Sequence, residues 1–256
     1  MMTKRDLIIQ RIEEIRVSVQ RREGALALLS LGSAGVENDR LDDYSDIDFF
    51  LIVEVGYKEA FIANLDWLTD ISAPGFYFPN TKDGYKFLYQ DGVFCEFAVF
   101  EPSEMASAVF SKGKLLWHRA DFDTTLCEPK TSRTPWQPES VEWAFNEALT
   151  CLYVGLGRYA RGEKLSGTRF VQSYAVDLIL ASSSLISGEI PTAADEFQHE
   201  RRYEAHYPEL AKSLPKMIQG YDHTKASALE ILNFIEHYHS VNPTLKSEIL
   251  KLIYNC

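Results

Sequence analysis

Two carboxylates two positions apart, Asp46 and Asp48, open an apolar run that continues to Val55. In a strand, residues i and i+2 point to the same face. Paired there with apolar flanks, they repel each other unless a cation sits between them. Magnesium suits such a pair, because it takes hard oxygen ligands and favours a few carboxylates together with substrate phosphates. Twelve residues upstream, another apolar run ends at Gly32-Ser33, whose backbone N–H groups and hydroxyl are the donors a triphosphate needs. A third acid, Glu96, lies between Cys95 and Phe97 in the run Val93 to Phe100, where Phe94, Glu96, Ala98 and Phe100 share one face. Metal and phosphate ligands in one short strand-loop-strand unit read as a nucleotide-handling site. The competing reading makes Asp46 and Asp48 a solvated strand end and Glu96 an edge-strand glutamate facing water. The conjunction of turn, spacing and three acids favours the site.

The same residues carry a family resemblance. Gly32-Ser33, the twelve-residue interval and Asp46-Ile47-Asp48, with Ile47 and Phe49 apolar, resemble the signature of the DNA polymerase beta-like nucleotidyltransferase superfamily. The stretch Tyr44-Ser45-Asp46-Ile47-Asp48 is especially similar to the lincosamide and aminoglycoside nucleotidyltransferases, which modify antibiotics. The resemblance is confined to the N-terminal part of the chain. No Gly-Lys-Ser/Thr follows the glycine, so phosphate binding must rest on metal more than on a lysine.

The resemblance implies transfer of a nucleoside monophosphate from a nucleoside triphosphate, ATP by analogy, to a hydroxyl, with release of pyrophosphate. Asp46 and Asp48 would ligate two magnesium ions, and Glu96 the catalytic one. Glu96, or a carboxylate near it, would also accept the acceptor hydroxyl's proton. Gly32 and Ser33 would hold the β- and γ-phosphates. Related enzymes bring cations from a helical domain to the triphosphate, which makes Arg161, Lys164 and Arg169 candidates. Helix C-terminal arginines also stabilise through the helix dipole alone. Arg40, in the loop before the acids, is either a phosphate ligand or a solvated loop charge. Related enzymes often build the site across a homodimer.

Composition bounds the partner. The chain has 256 residues, 46% hydrophobic and 25% charged, ordinary for a globular protein with one large or two modest domains. Its net charge is −11, with 37 acids against 26 bases and no Lys/Arg-rich tract, which argues against nucleic acid as the partner. It favours a small substrate, which the resemblance makes a hydroxylated one, and a cationic one would be drawn in by the field. The sequence shows neither a membrane-spanning apolar run nor a secretory signal, and Cys95, Cys127, Cys151 and Cys256 lack zinc or disulfide spacing, so a cytoplasmic setting is expected.

The elements that must position these residues follow from periodicity. Residues 4–22 place Ile8, Ile12, Ile15 and Val19 on one helical stripe, Ala25 to Leu31 reads as a buried strand, and Asp48 to Val55 as a second. Residues 57–70 read as a helix around Phe61, Leu65 and Leu68. Short strands follow at Phe76–Phe78, Tyr85–Tyr89 and Val93–Phe100, with a hairpin signal at Gln90-Asp91-Gly92. The proline-rich Glu128–Pro138 reads as a linker. Beyond it, stripes at Val141, Phe145, Ala148, Leu152 and Leu156, at Phe170, Tyr174, Leu178, Ala181 and Leu185, and at Leu229, Leu232, Ile235, Leu250 and Ile253 read as helices. The expected fold class is α+β: a nucleotidyltransferase domain at 1–130, with a mixed β-sheet flanked by helices, followed by a helical, substrate-binding bundle at 131–256.

Among weaker candidates, Glu142 and Glu147 read as surface acids or as substrate ligands, and His237-x-His239 as surface. Tyr77, Phe78, Trp136, Trp143 and Tyr174 are either pocket or core. Two other functions stay open. One is nucleotidylation of a protein or tRNA, as in toxin-neutralising relatives. The other is a catalytically inactive nucleotide-binding module.

Overall fold

A computed structural model describes residues 2–35, 40–130, 136–188 and 198–255. The chain parts into two compact units, Met1–Ser132 and Arg133–Cys256.

In the first unit, α1 (Lys4–Gln20) starts at a capping box in which Thr3 and Asp6 each accept the other's backbone N–H at 3.1 Å. Its buried stripe is Ile8, Arg11, Ile15 and Val19. The charged member of that stripe links α1 to the sheet. Arg11 lies 3.9 Å over the Tyr89 ring and donates to Asp91 at 2.6 Å and to Glu14 at 2.9 Å. Helix α1 is thereby tied to the turn that leads into the strand carrying Glu96.

Six strands form one mixed sheet: β1 (Ala25–Leu31), β2 (Ile47–Val53), β3 (Pro74–Pro79), β4 (Gly84–Tyr89), β5 (Phe94–Phe100) and β6 (Lys114–His118), in the order β3-β4-β5-β2-β1-β6. All neighbours are antiparallel except β2 and β5, which are parallel. The crossover between those two contains α2 (Lys58–Ala63), α3 (Asp66–Thr69) and the β3–β4 hairpin. Residues 57–70 are thus two short helices rather than one, because Asn64 adopts extended backbone between them. Strand β6 carries no clear alternation in sequence and was not anticipated.

The two faces of the sheet have different cover. On one, Phe49 stacks on Phe97 with centroids 5.2 Å apart, and Trp67 meets both edge-on. Ile8, Ile15, Leu51, Phe87 and Val99 complete that core. On the other, a smaller cluster of Ala27, Leu29, Ile52, Met105, Phe110 and Cys127 covers one part of the face.

The second unit is helical, as expected. It comprises α4 (Val141–Ala160), α5 (Lys164–Arg169), a π-turn (Phe170–Tyr174), α6 (Ala175–Ala181), α7 (Ser183–Ser187), α8 (Tyr203–His206), α9 (Pro208–Ala211), α10 (Leu214–Met217), α11 (Thr224–Tyr238) and α12 (Pro243–Asn255). The stripe expected over 170–185 is corrected. Val171, Ala175, Val176, Ile179 and Leu180 are buried; of the expected residues Ala181 is buried and Leu178 packs on that core, whereas Tyr174 and Leu185 are exposed. A π-turn adds a residue to one helical turn and so shifts the phase of every position after it.

Candidate active site

Strand register assembles the site. In the parallel β2–β5 pairing, Asp48 is the partner of Glu96. Lys86 on β4 is the next partner of Glu96, Phe78 on β3 is the partner of Lys86, and Leu31 on β1 that of Asp48. Directly opposed residues share a face, so one row across the sheet reads Phe78, Lys86, Glu96, Asp48, Leu31. Neighbouring strands are about 4.8 Å apart. Strand β5 lies between β4 and β2, so Glu96 is not on a sheet edge. It alternates with the buried Cys95 and Phe97 and is half-buried on the opposite face.

Asp46 precedes β2 by one residue and is exposed, while Asp48 is half-buried. The field of both reaches the far side of the sheet. Burial pushes the Cys95 thiol well above its ordinary value; Arg11 opposes that shift, and Asp48 and Asp46 reinforce it.

The Gly32-Ser33 turn closes on this row. Gly32 has φ +55°, a conformation that favours glycine, and a β-carbon there would lie 3.5 Å from Asp48 Oδ2. The turn is a single 3-10 turn, Gly32–Ala34, closed by the Gly35 N–H donating to the Gly32 carbonyl at 3.0 Å. Ser33 is half-buried within it. The chain backbone therefore runs beside the Asp48 carboxylate.

Two residues that sequence reasoning missed hold Glu96. Asn80 Nδ2 donates to Glu96 Oε1 at 2.8 Å, and Lys86 Nζ lies 3.3 Å from Glu96 Oε2. Among the described residues, no three His, Cys, Asp or Glu side chains converge closely enough to cage an ion. The donor set nevertheless has the chemistry of a hard divalent cation, three carboxylates with a backbone turn alongside. Both partners of the Lys86–Glu96 pair are substantially exposed, at 39% and 42%, so the pair is worth only about 0.2–1 kcal/mol.

The other candidates are placed as follows. Arg40 is half-buried, next to residues 36–39, which lie outside the described residues. Arg161 caps α4 and pairs with Glu163 at 2.8 Å, and Arg169 ends α5, exposed; both belong to the second unit. Trp136 and Trp143 pack edge-on at 5.5 Å and are exposed. Tyr77 stacks on Phe87 on the helix-covered face, whereas Phe78 lies on the acid face.

No protein-family model matches the chain, and no curated protein matches it. Among solved structures it is similar to an aminoglycoside 6-adenyltransferase from Bacillus subtilis, at 15% identity and TM-score 0.38 over 100% of this chain and 98% of that one. It is also similar to a nucleotidyltransferase-like protein from Exiguobacterium sibiricum, at 14% identity and TM-score 0.34 over 96% of this chain and 78% of that one. A third is a spectinomycin adenyltransferase from Enterococcus faecialis with ATP and spectinomycin, at 12% identity and TM-score 0.34 over 96% of this chain and 97% of that one. Similarity at this level identifies no activity. Among the described residues, no helix is long and apolar enough to cross a membrane.

Proposed function

We propose that the protein is a nucleotidyltransferase that moves a nucleoside monophosphate, AMP from ATP, to a hydroxyl of a small molecule with release of pyrophosphate. The observation that carries this reading is the in-register pairing of Asp48 with Glu96 on one sheet face, with the Gly32 turn against Asp48. Asp46, Asp48 and Glu96 would hold two magnesium ions, which supply charge neutralisation at the attacking and leaving oxygens of an in-line displacement. The amides of the Gly32-Ser33 turn and the Ser33 hydroxyl orient the β- and γ-phosphates. Glu96 takes the proton from the acceptor hydroxyl, either itself or through a neighbouring carboxylate, so that the oxygen attacks the α-phosphorus as pyrophosphate leaves. Most of the rate gain is positioning and electrostatics.

The test is pyrophosphate release from ATP, GTP, CTP and UTP, with and without magnesium, across a panel of small hydroxylated acceptors. Metal-dependent release that is acceptor-stimulated and lost in Asp48→Asn supports the reading. Release indifferent to Asp48→Asn overturns it. The Lys86–Glu96 ion pair favours a second reading, a nucleotide-binding module in which Glu96 stays with Lys86. Metal-dependent ATP binding with no pyrophosphate from any acceptor would select it.

A further inference from the structure

The acid row continues, away from the aspartates, into a run of side chains that the proposed chemistry does not use. Beyond Glu96 come Lys86 and then Phe78, and the adjacent row on the same face is Phe94, Leu88 and Phe76. Phe76 and Phe78 sit side by side with ring centroids 5.7 Å apart, 56% and 41% exposed. Strand β3 is a sheet edge and is exposed along its length, so the two rings make an open apolar patch beside the charged row. A second copy of the chain adding a strand at β3 is a poor occupant, because Pro74 and Pro79 bracket that edge strand and lack N–H donors.

We propose that Phe76, Phe78 and Lys86 form the acceptor subsite of the reaction proposed above, and that the acceptor is a hydroxylated ring compound bearing an anionic group, not a polycation. The spacing sets the layout. Glu96 to Phe78 is two strand intervals, about 10 Å. An acceptor whose hydroxyl meets Glu96 thus places its far ring on Phe78 and Phe76, over the apolar Leu88 and Phe94. Lys86 stands between the two ends. Its ammonium has three donors, of which Glu96 engages one. The remaining donors are open to a carboxylate on the acceptor, with Glu96 in place. The net charge of −11 favours cations only at long range. Its field is screened over about 8 Å at physiological salt, and the charged residue directly paired with Phe78 is Lys86.

The inference rests on the transferase reading, but its test needs no turnover. Binding of 4-nitrophenyl β-D-glucuronide to the full chain is measured by saturation-transfer NMR. It is compared with 4-nitrophenyl β-D-glucoside, which lacks the carboxylate, with methyl β-D-glucuronide, which lacks the ring, and with kanamycin as the polycation. The aryl glucuronide should bind severalfold more tightly than any of the three. Phe76→Ala and Phe78→Ala, both surface truncations whose folding is checked by Tm, should each weaken it severalfold. Lys86→Met should erase the preference for glucuronide over glucoside, and Lys86→Arg should restore it. Equal affinity across the panel, no binding at all, or wild-type binding by Phe78→Ala overturns the subsite. If the subsite behaves as stated while no nucleoside triphosphate is ever turned over, the transferase reading falls and the subsite stands.

Discussion

Asp48 and Glu96 are direct partners across the parallel β2–β5 pairing, one strand interval apart on the same face of the sheet. Residues on either side of each acid, Ile47 and Phe49, Cys95 and Phe97, are buried against the helices on the other face. The core therefore fixes the direction of both carboxylates. A one-residue slip of either strand would bury an acid and expose a phenylalanine or isoleucine, so the site is specified by the same packing that stabilises the unit.

Asp48→Asn keeps the shape of the side chain and removes its charge. Turnover measured by pyrophosphate release should fall about a hundredfold or more, with Tm close to that of the wild type because the side chain is only half-buried. Asp46→Asn should behave the same way.

Gly84 pairs with Ala98 two residues along from Glu96. A β-carbon at Gly84 would sit 1.8 Å from the Phe97 carbonyl oxygen, so any side chain there forces β4 away from β5. Gly84→Ala should lower stability by about 1–3 kcal/mol in urea unfolding. It should also weaken the Asn80 and Lys86 contacts to Glu96, whose geometry depends on that pairing.

Lys58 Nζ donates to Asp83 at 2.6 Å and to Glu104 at 2.7 Å. Burial alone would raise the Glu104 carboxyl, but the Lys58 contact and the Glu101 backbone N–H outweigh it and hold the group below its ordinary value. A carboxyl lowered on folding contributes stability that is fully present above its unfolded pKa and lost as the pH falls through its folded pKa. Acid titration of Tm should thus show a loss in the acidic range below the ordinary glutamate value, and Glu104→Gln should flatten that part of the curve.

Burial, followed by Glu128 and Asp123, pushes the Cys127 thiol up to about 11. At pH 8 roughly one molecule in a thousand then carries the thiolate at that position. Iodoacetamide followed by peptide mass spectrometry should leave Cys127 and the buried Cys95 unmodified in the folded protein. Both should be alkylated in urea.

Much of this was legible in the sequence where the signal was local. The bounds of β1 fall where the apolar run from Ala25 to Leu31 begins and ends, and Asp91-Gly92 marks the β4–β5 turn. The alternation around Glu96 correctly set it on the face opposite Cys95 and Phe97. What the sequence did not reveal depends on residues far apart in the chain. Lys86 and Asn80 become partners of Glu96 only through the register of β4 on β5 and the loop before it, which no periodicity encodes. Arg11 occupies an apolar stripe position because Asp91, across the unit, compensates its charge. The buried stripe starts one residue later than expected, at Val171, and then runs through a π-turn, for which residue type gives no warning.

The parallel β2–β5 pair also constrains how the polypeptide acquires its acids. Parallel neighbours need a long excursion between them, and here that excursion includes two helices and a hairpin. Closing so large a loop is entropically costly until the whole excursion has condensed. During synthesis Asp48 leaves the ribosome well before Glu96, and a nascent chain ending ahead of β5 lacks the strand that completes the pair. The two acids consequently come together only once β5 has joined the sheet beside β2.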